Sequence, residues 1–347
     1  MRPMTDATTR HTLMTVHAHP DDETIGTGGV MARAVSDGHR VVLVTCTRGE
    51  QGEIVIPEMD TPANHRRLGE IRAGELEAAL ARLGVTEWES LGYRDSDMMG
   101  RPANRDPRNF WNAPLDEAAR RLVFLVRTYR PDVMTTYNSF GGYGHPDHIR
   151  THDVAVAAFS RAGDASWYPE QLAPEHGGTS PATDDGGLTP WAAAKLYEQA
   201  MPLSLRRDMN ARMEAIGERS IWMPPADASP EQIAEHDAYL EKMLVRDEDI
   251  TTRVDVDAWL GAKWSALREH RTQIAEKNAF MRFGLEAWRE FWRHESFVRR
   301  ECRIAAPDRE TNLFDGLGDS RPGPLGWGPL GAGATGTATS PATPSSP

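Results

Sequence analysis

His17-Ala18-His19-Pro20-Asp21-Asp22-Glu23 crowds two histidines and three carboxylates around one proline. It follows an apolar run, Thr12-Leu13-Met14-Thr15-Val16, and precedes a helical pattern over residues 27–36 that Asp37-Gly38 ends. Next comes Arg40-Val41-Val42-Leu43-Val44-Thr45-Cys46, apolar on both faces as a buried parallel strand requires. Strand, helix and strand in so short a span make a right-handed βαβ unit. The titratable cluster then sits at the C-terminal end of the first strand, where open α/β sheets place their ligands.

The alternation continues. Residues 65–83 carry helical spacing and stop at Gly84, and residues 88–91 read as a short strand. A long polar loop, residues 93–114, leads to a helix over 115–129 and a strand over 131–137. A glycine-rich turn follows, and His145-Pro146-Asp147-His148 opens a helix to about residue 162. Residues 164–189 read as a mobile Pro/Gly/Asp-rich excursion. Beyond it the pattern gives strands over 194–200, 250–256 and 295–304, with helices over 203–216, 230–244, 257–274 and 285–293. The fold class is α/β: a doubly wound, mostly parallel sheet with a C-terminal α+β extension over about 194–315. A disordered leader (1–11), one domain (12–315) and a disordered tail rich in Gly, Pro, Ala, Thr and Ser (316–347) complete the expected organisation.

Composition narrows the function. The chain has 347 residues, 26% of them charged, and a net charge of -12, so nonspecific binding to nucleic acid or an anionic membrane is not expected. No apolar stretch has the length of a membrane span and no signal peptide is evident, which points to a cytoplasmic protein. Cys46 and Cys302 are read as buried, reduced thiols.

The chemistry lies in the two His-Pro-Asp turns. Zinc hydrolases hold the metal on three His, Asp or Glu ligands and leave one position open. His19 and Asp22 form a short-spaced pair, and His148 is a remote third ligand. Asp21 is placed to act as general base, and His145 to meet an oxyanion or protonate a leaving amine. Asp147 is placed to orient His145 or another imidazole. A second reading stays open from the residues alone, because His-Pro-Asp is ordinarily a turn whose aspartate caps the next helix. Capping does not, however, call for histidine twice. Gly26-Thr27-Gly28-Gly29 after a strand suggests a dinucleotide loop only faintly, since it lacks the full fingerprint.

The first motif together with Gly141-Gly142-Tyr143-Gly144-His145-Pro146-Asp147-His148 resembles the PIG-L/LmbE family of zinc-dependent deacetylases. The similarity runs over residues 12–160 and resumes in residues 250–255 and 310–314. It implies a Rossmann-like fold and hydrolysis of an N-acyl group, usually on glucosamine. It implies Zn2+, with Fe2+ as the other metal such a ligand set accepts, on His19, Asp22 and His148, and Asp21 as base. It makes His145 the electrophilic or acid partner, Asp147 its orienter, and Tyr143 a mobile residue that reaches the substrate carbonyl. Arg72, Asp95 and Glu53 match substrate-binding positions.

Within the family the chain is most similar to the mycothiol enzymes, one a deacetylase of an amino-sugar inositol and the other an amidase of thiol conjugates. Such amidases carry a lysine after the first motif and a proline before the second motif's first histidine. Here those places hold Thr24-Ile25-Gly26-Thr27 and Gly144, which favours the deacetylase or a sugar deacetylase outside mycothiol metabolism, while the elements near Thr252 and Asn312 resemble the amidase at least as well. The expected partner is a small amino-sugar conjugate, with a thiol conjugate as the alternative; a homo-oligomer is compatible with the sequence. A metal- or sugar-binding protein without turnover is the reading of another class, and an intact Asp21 argues against it.

Overall fold

The computed structural model describes residues 9–173, 188–215, 217, 220, 222–274, 281, 284–318 and 326. Its centre is β1 (Thr12–His17), whose Leu13, Met14 and Val16 are fully buried. β1 pairs in parallel with β2 (Arg40–Thr45) on one side and β4 (Val133–Thr136) on the other. β3 (Glu87–Ser90) extends the sheet beyond β2, and β5 (Lys195–Pro202) extends it beyond β4, both in parallel. The strand order therefore reverses between β1 and β4. That topological switch point opens a crevice at the C-terminal strand ends. The first motif leaves β1 there and the second follows β4.

Alternating residues of each strand feed two cores. Leu13 and Leu43 pack with Val30, Met31, Leu76 and Leu80, so α1 (Asp22–Ser36) and α3 (Leu68–Leu83) cover one face. Met14, Val16 and Val42 pack with Leu122, Val126 and Val154, so α4 (Leu115–Tyr129) and α6 (Pro146–Arg161) cover the other. α2 (Pro62–Arg66) is set off from α3 at Arg67, so the helix expected over 65–83 is two helices. α5 (Gly141–Gly144) is one kinked turn ahead of α6.

The C-terminal extension turns the parallel sheet into a mixed one. α7 (Leu203–Ala215) and α8 (Pro230–Met243) precede the short β6 (Leu244–Val245), which pairs with the end of β5. β7 (Thr252–Asp255) and β8 (His294–Cys302) then add antiparallel strands beyond β5, and β5 itself belongs to the parallel set. The helix expected over 257–274 is a 3-10 turn followed by α9 (Leu260–Leu267), and the chain leaves helix before His270. α10 (Gly284–Trp292) leads into β8.

Glu310 fastens the end of the domain. It accepts from Lys195 Nζ (3.0 Å), Tyr197 OH (2.7 Å) and Thr252 Oγ1 (2.8 Å) in a buried setting. The outer boundaries move accordingly. His11, assigned to the leader, is buried and meets the Gly318 carbonyl at 3.1 Å. Leu317, assigned to the tail, is buried as well, and Gly326 bridges Ala192. The remainder of the expected leader and tail, and much of the expected excursion, lies outside the described residues. Cys46 and Cys302 are free thiols, the first buried and the second half-buried.

The Gly26-Thr27-Gly28-Gly29 run is explained by what packs on α1. A side-chain carbon at Gly29 would meet Val256 at 2.6 Å, and one at Gly26 would meet Gln199 at 2.0 Å. Lys263 lies against Gly28 and Glu295 against Gly29. The Glu295 carboxylate accepts from the Gly29 and Val30 amides (2.8 Å each), and Lys263 Nζ donates to the Ile25 carbonyl (2.8 Å). Ile25 and Gly29 are the i and i+4 partners a helix would join to each other. An ion pair of 2.7 Å from the extension thus bonds to backbone groups of α1, one turn beyond the first motif.

Candidate active site

Helix α1 begins at Asp22, not near residue 27 as the sequence pattern suggests, because the Asp21 carbonyl already accepts from the Thr24 and Ile25 amides. Asp22 and Glu23 occupy the first turn, where the helix dipole favours negative charge. Asp21 is the hinge between strand and helix, at φ 116° and ψ -33°. A non-glycine residue enters that region at a cost on the order of 1–3 kcal/mol, and such strain gathers at functional sites.

Three donor atoms converge beside it. His19 Nδ1 lies 3.3 Å from Asp22 Oδ2, His148 Nε2 lies 3.3 Å from the same oxygen, and the two ring nitrogens are 3.3 Å apart. A tetrahedral metal with ligand bonds of ~2.0 Å spaces its ligands by about 3.3 Å, so the triangle fits a metal of zinc's size. Two wider groups, His19 with His145 and His148, and His19 with Asp95, His145 and Asp147, also bring donor atoms within 4.8 Å. The equal-sided triangle is the better ligand set, because His145 Nδ1 is already taken by the Asp147 amide (3.1 Å).

Outer contacts aim these ligands. His19 Nε2 donates to Asp147 Oδ2 (3.2 Å), which leaves Nδ1 as the nitrogen that could take a metal. The Asp147 carboxylate is in turn held by the Ser96 amide (2.9 Å) and hydroxyl (2.5 Å). Asp147 therefore orients His19, and the orienting role toward His145 that the resemblance implied is corrected. His148 stacks on Tyr137, ring centroids 4.2 Å apart, and the Tyr137 hydroxyl accepts from the Ala18 amide (3.0 Å). His17 bonds Thr27 and stays off the triangle. His152 is tied to Glu198 and plays no part.

The electrostatics follow from crowding charge in a buried place. Burial acts to raise Asp22 and Asp95, yet neighbouring imidazoles, of His148 and His19 for Asp22 and His19 first for Asp95, hold both carboxyls well below their usual range. Burial lowers His145 to about 2, with the charges of His19 and His148 adding to it, so the ring is neutral. Because its Nδ1 accepts from a backbone amide, its proton sits on Nε2, and His145 offers the site an N–H donor. Burial pushes Asp21 up to about 6, against the pull of the Arg72 guanidinium.

Of the three residues matched to substrate binding, Arg72 and Asp95 are buried beside the first motif and Glu53 is exposed. Arg72 is buried: it meets Asp21 Oδ1 at 3.2 Å and donates to the Pro20 (2.5 Å) and Gly49 (2.9 Å) carbonyls. It braces the first motif from α3. Asp95 is buried 3.6 Å from His19 Nε2 and accepts from the Gln51 and Asp97 amides. Glu53 is exposed and lends only its backbone carbonyl, to Gln273; Glu50 is the glutamate of that loop that reaches the rim, accepting from the Asp95 amide (3.1 Å). Tyr143 stands edge-on to His148, centroids 4.8 Å apart, and keeps 39% of its surface exposed. Ser96, Tyr137 and His270 had no signal of their own in the sequence, whereas Glu50 stands with Glu53 in a rim loop that could line the site.

Residues 14–159 match the model of the PIG-L family, described as GlcNAc-PI de-N-acetylase. The chain is 42% identical over 313 residues to the 1D-myo-inositol 2-acetamido-2-deoxy-alpha-D-glucopyranoside deacetylase of Geodermatophilus obscurus, covering 88% of this chain and 97% of that one. It belongs to the PIG-L family. The deacetylase of the same name from Thermomonospora curvata is 40% identical over 316 residues, 88% and 96% of the two chains. Among solved structures, the PIG-L chain is similar to N,N'-diacetylchitobiose deacetylase from Pyrococcus horikoshii (TM-score 0.54, 19% identity, 83% of each chain). It is also similar to 4-carboxy-2-hydroxymuconate hydratase from Pseudomonas putida (TM-score 0.50, 17% identity, 86% and 99% of the chains). A deacetylase and a hydratase share this fold, so the fold alone does not choose the reaction. No described helix is long and apolar enough to cross a membrane.

Proposed function

We propose that this chain is a zinc-dependent N-deacetylase that removes the acetyl group of 1D-myo-inositol 2-acetamido-2-deoxy-alpha-D-glucopyranoside. The reading is carried by the 3.3 Å triangle of His19, Asp22 and His148 with an unligated carboxylate, Asp21, next in the chain to Asp22. The substrate is the one named for relatives that span nearly the whole domain. A divalent metal held by the triangle would supply Lewis-acid activation of water and of the amide carbonyl.

The protein's own groups divide the remaining work. Asp21 takes the proton of the attacking water; burial sets its carboxyl near 6, where a base works at neutral pH. Its bond to Arg72 keeps it aimed while it does so. His145 presents Nε2–H to the oxygen that gains charge as the amide carbon becomes tetrahedral. Tyr143, at the exposed edge beside His148, adds a phenol donor from the substrate side. The proton taken up then passes to the departing amine, and acetate leaves. Asp95 has two of a carboxylate's four or so acceptor positions in use and offers the remainder to a sugar hydroxyl.

The test is a two-substrate assay with zinc-loaded protein. Acetate release from the N-acetylglucosaminyl-inositol is expected, at least ~100-fold faster than cysteinyl-amide cleavage of a mycothiol S-conjugate, a margin of two tenfold steps of ~1.4 kcal/mol each. The reverse preference would make the chain an amidase. Loss of both activities in a metal-loaded, folded protein would leave only a binding role.

A further inference from the structure

The strained Asp21 is held from a distance of almost the whole domain. Its amide donates to Glu23 Oε2 (2.8 Å), two residues on. Glu23 is fully buried, and its other oxygen accepts from the Thr24 hydroxyl (2.5 Å) and from His270 Nε2 (2.9 Å). His270 is also fully buried, in the turn that follows α9.

That turn is itself fixed to α3. The Thr272 amide (2.8 Å) and hydroxyl (2.6 Å) donate to the Glu75 carboxylate, and the Thr272 carbonyl accepts from the Val55 amide (2.9 Å). Glu75 lies one helical turn past Arg72, the residue that grips the Asp21 carboxylate and the Pro20 carbonyl. Two branches therefore leave the same helix and close on Asp21. Arg72 takes the side chain. Glu75, the turn at Thr272, His270 and Glu23 take the backbone amide. The Asp21 carbonyl is held by the Thr24 and Ile25 amides of its own helix, and the two branches hold its side chain and its amide.

We infer that His270 is a positioning residue for Asp21: through Glu23 it keeps the Asp21 backbone in the conformation in which the carboxylate meets Arg72 beside the metal-ligand triangle. The inference rests on the deacetylase reading in taking Asp21 as the base. A buried His–Glu pair can also serve stability alone, and the two roles separate by kinetics. A purely structural contact lowers the folded fraction and leaves turnover per folded, metal-loaded molecule unchanged.

The experiment uses full-length protein loaded with zinc, as wild type, His270→Ala, His270→Gln and Glu23→Gln. A misplacement of about 1 Å at a reacting group costs up to ~100-fold, so His270→Ala is expected to lose about 10–100-fold in kcat, with KM and zinc stoichiometry unchanged. His270→Gln keeps an N–H that reaches Glu23 and is expected to recover most of that loss, while Glu23→Gln shares it. Hydrogen exchange of the peptide covering residues 17–24 needs no substrate. It is expected to quicken in His270→Ala and recover in His270→Gln. Unchanged kcat together with unchanged exchange in a folded variant overturns the inference, as does a loss accounted for by missing zinc. If His270→Ala does not fold, the Gln pair carries the same comparison. A wild type that releases no acetate contradicts the functional reading, and the exchange data then decide the role of His270 by themselves.

Discussion

Replacing Asp21 by asparagine is expected to lower kcat by ~10²–10⁴-fold while the protein keeps one equivalent of metal. The triangle proposed to hold the metal does not include Asp21, whose side chain meets Arg72 at 3.2 Å. Asparagine has the same shape and still accepts from Arg72 through its carbonyl oxygen, so the fold and the brace survive. It cannot take a proton. The loss should appear in kcat with little change in KM, because the group acts on water during the chemical step and not on bound sugar. Metal content by elemental analysis and acetate release measured together check this. Full activity in a metal-loaded variant would mean another group is the base.

The second large effect is on stability and lies away from the reacting atoms. Glu295→Ala is expected to cost about 3–5 kcal/mol, the range for breaking one side of a buried ion pair. The carboxylate accepts from two α1 amides and from Lys263, so its removal leaves the buried ammonium without its counter-ion and takes an acceptor from both amides. Alanine at this place also opens space beside Gly29, next to Val256. Unfolding in urea, followed by a spectroscopic signal of the sheet, reads the change in midpoint. A cost below ~1 kcal/mol would show that α1 does not depend on this pair.

These two cases mark what the chain discloses about itself and what it withholds. β1, the two His-Pro-Asp turns and the helices after them are legible because each is local: an apolar run, a proline and a helical period within a few residues. The placement of both turns at one rim follows from topology rules that act on those local elements, and the structure puts them at the β1/β4 switch point. The start of α1 was displaced because Asp21-Asp22-Glu23 reads as acidic loop until the dipole at a helix start is considered. Partners were harder. Asp147 lies two residues from His145, yet its carboxylate belongs to His19, since its own helix points it across the crevice. Arg72 reads as a surface arginine on an amphipathic helix and is instead buried against Asp21. Nothing local in the chain says that Lys263, Glu295 and His270, far along the sequence, return to pack on α1. Charged residues are rarely buried unless paired, and pairing over such separations leaves no periodic trace.

Gly26-Thr27-Gly28-Gly29 belongs to the same lesson. The run has the look of a phosphate loop. Its glycines are required instead by the close approach of Gln199, Lys263, Val256 and Glu295 to α1. Small residues in that place admit the ion pair that holds the helix carrying Asp22.

The most direct test is a metal add-back. Protein stripped by a chelator is expected to lose acetate release from the N-acetylglucosaminyl-inositol, and one equivalent of zinc is expected to restore it, with His148→Ala neither retaining metal nor regaining activity. Full turnover by the stripped protein, or a His148→Ala variant that binds one zinc as tightly as wild type and works as well, would contradict the assignment of this crevice as a metal-dependent deacetylase site.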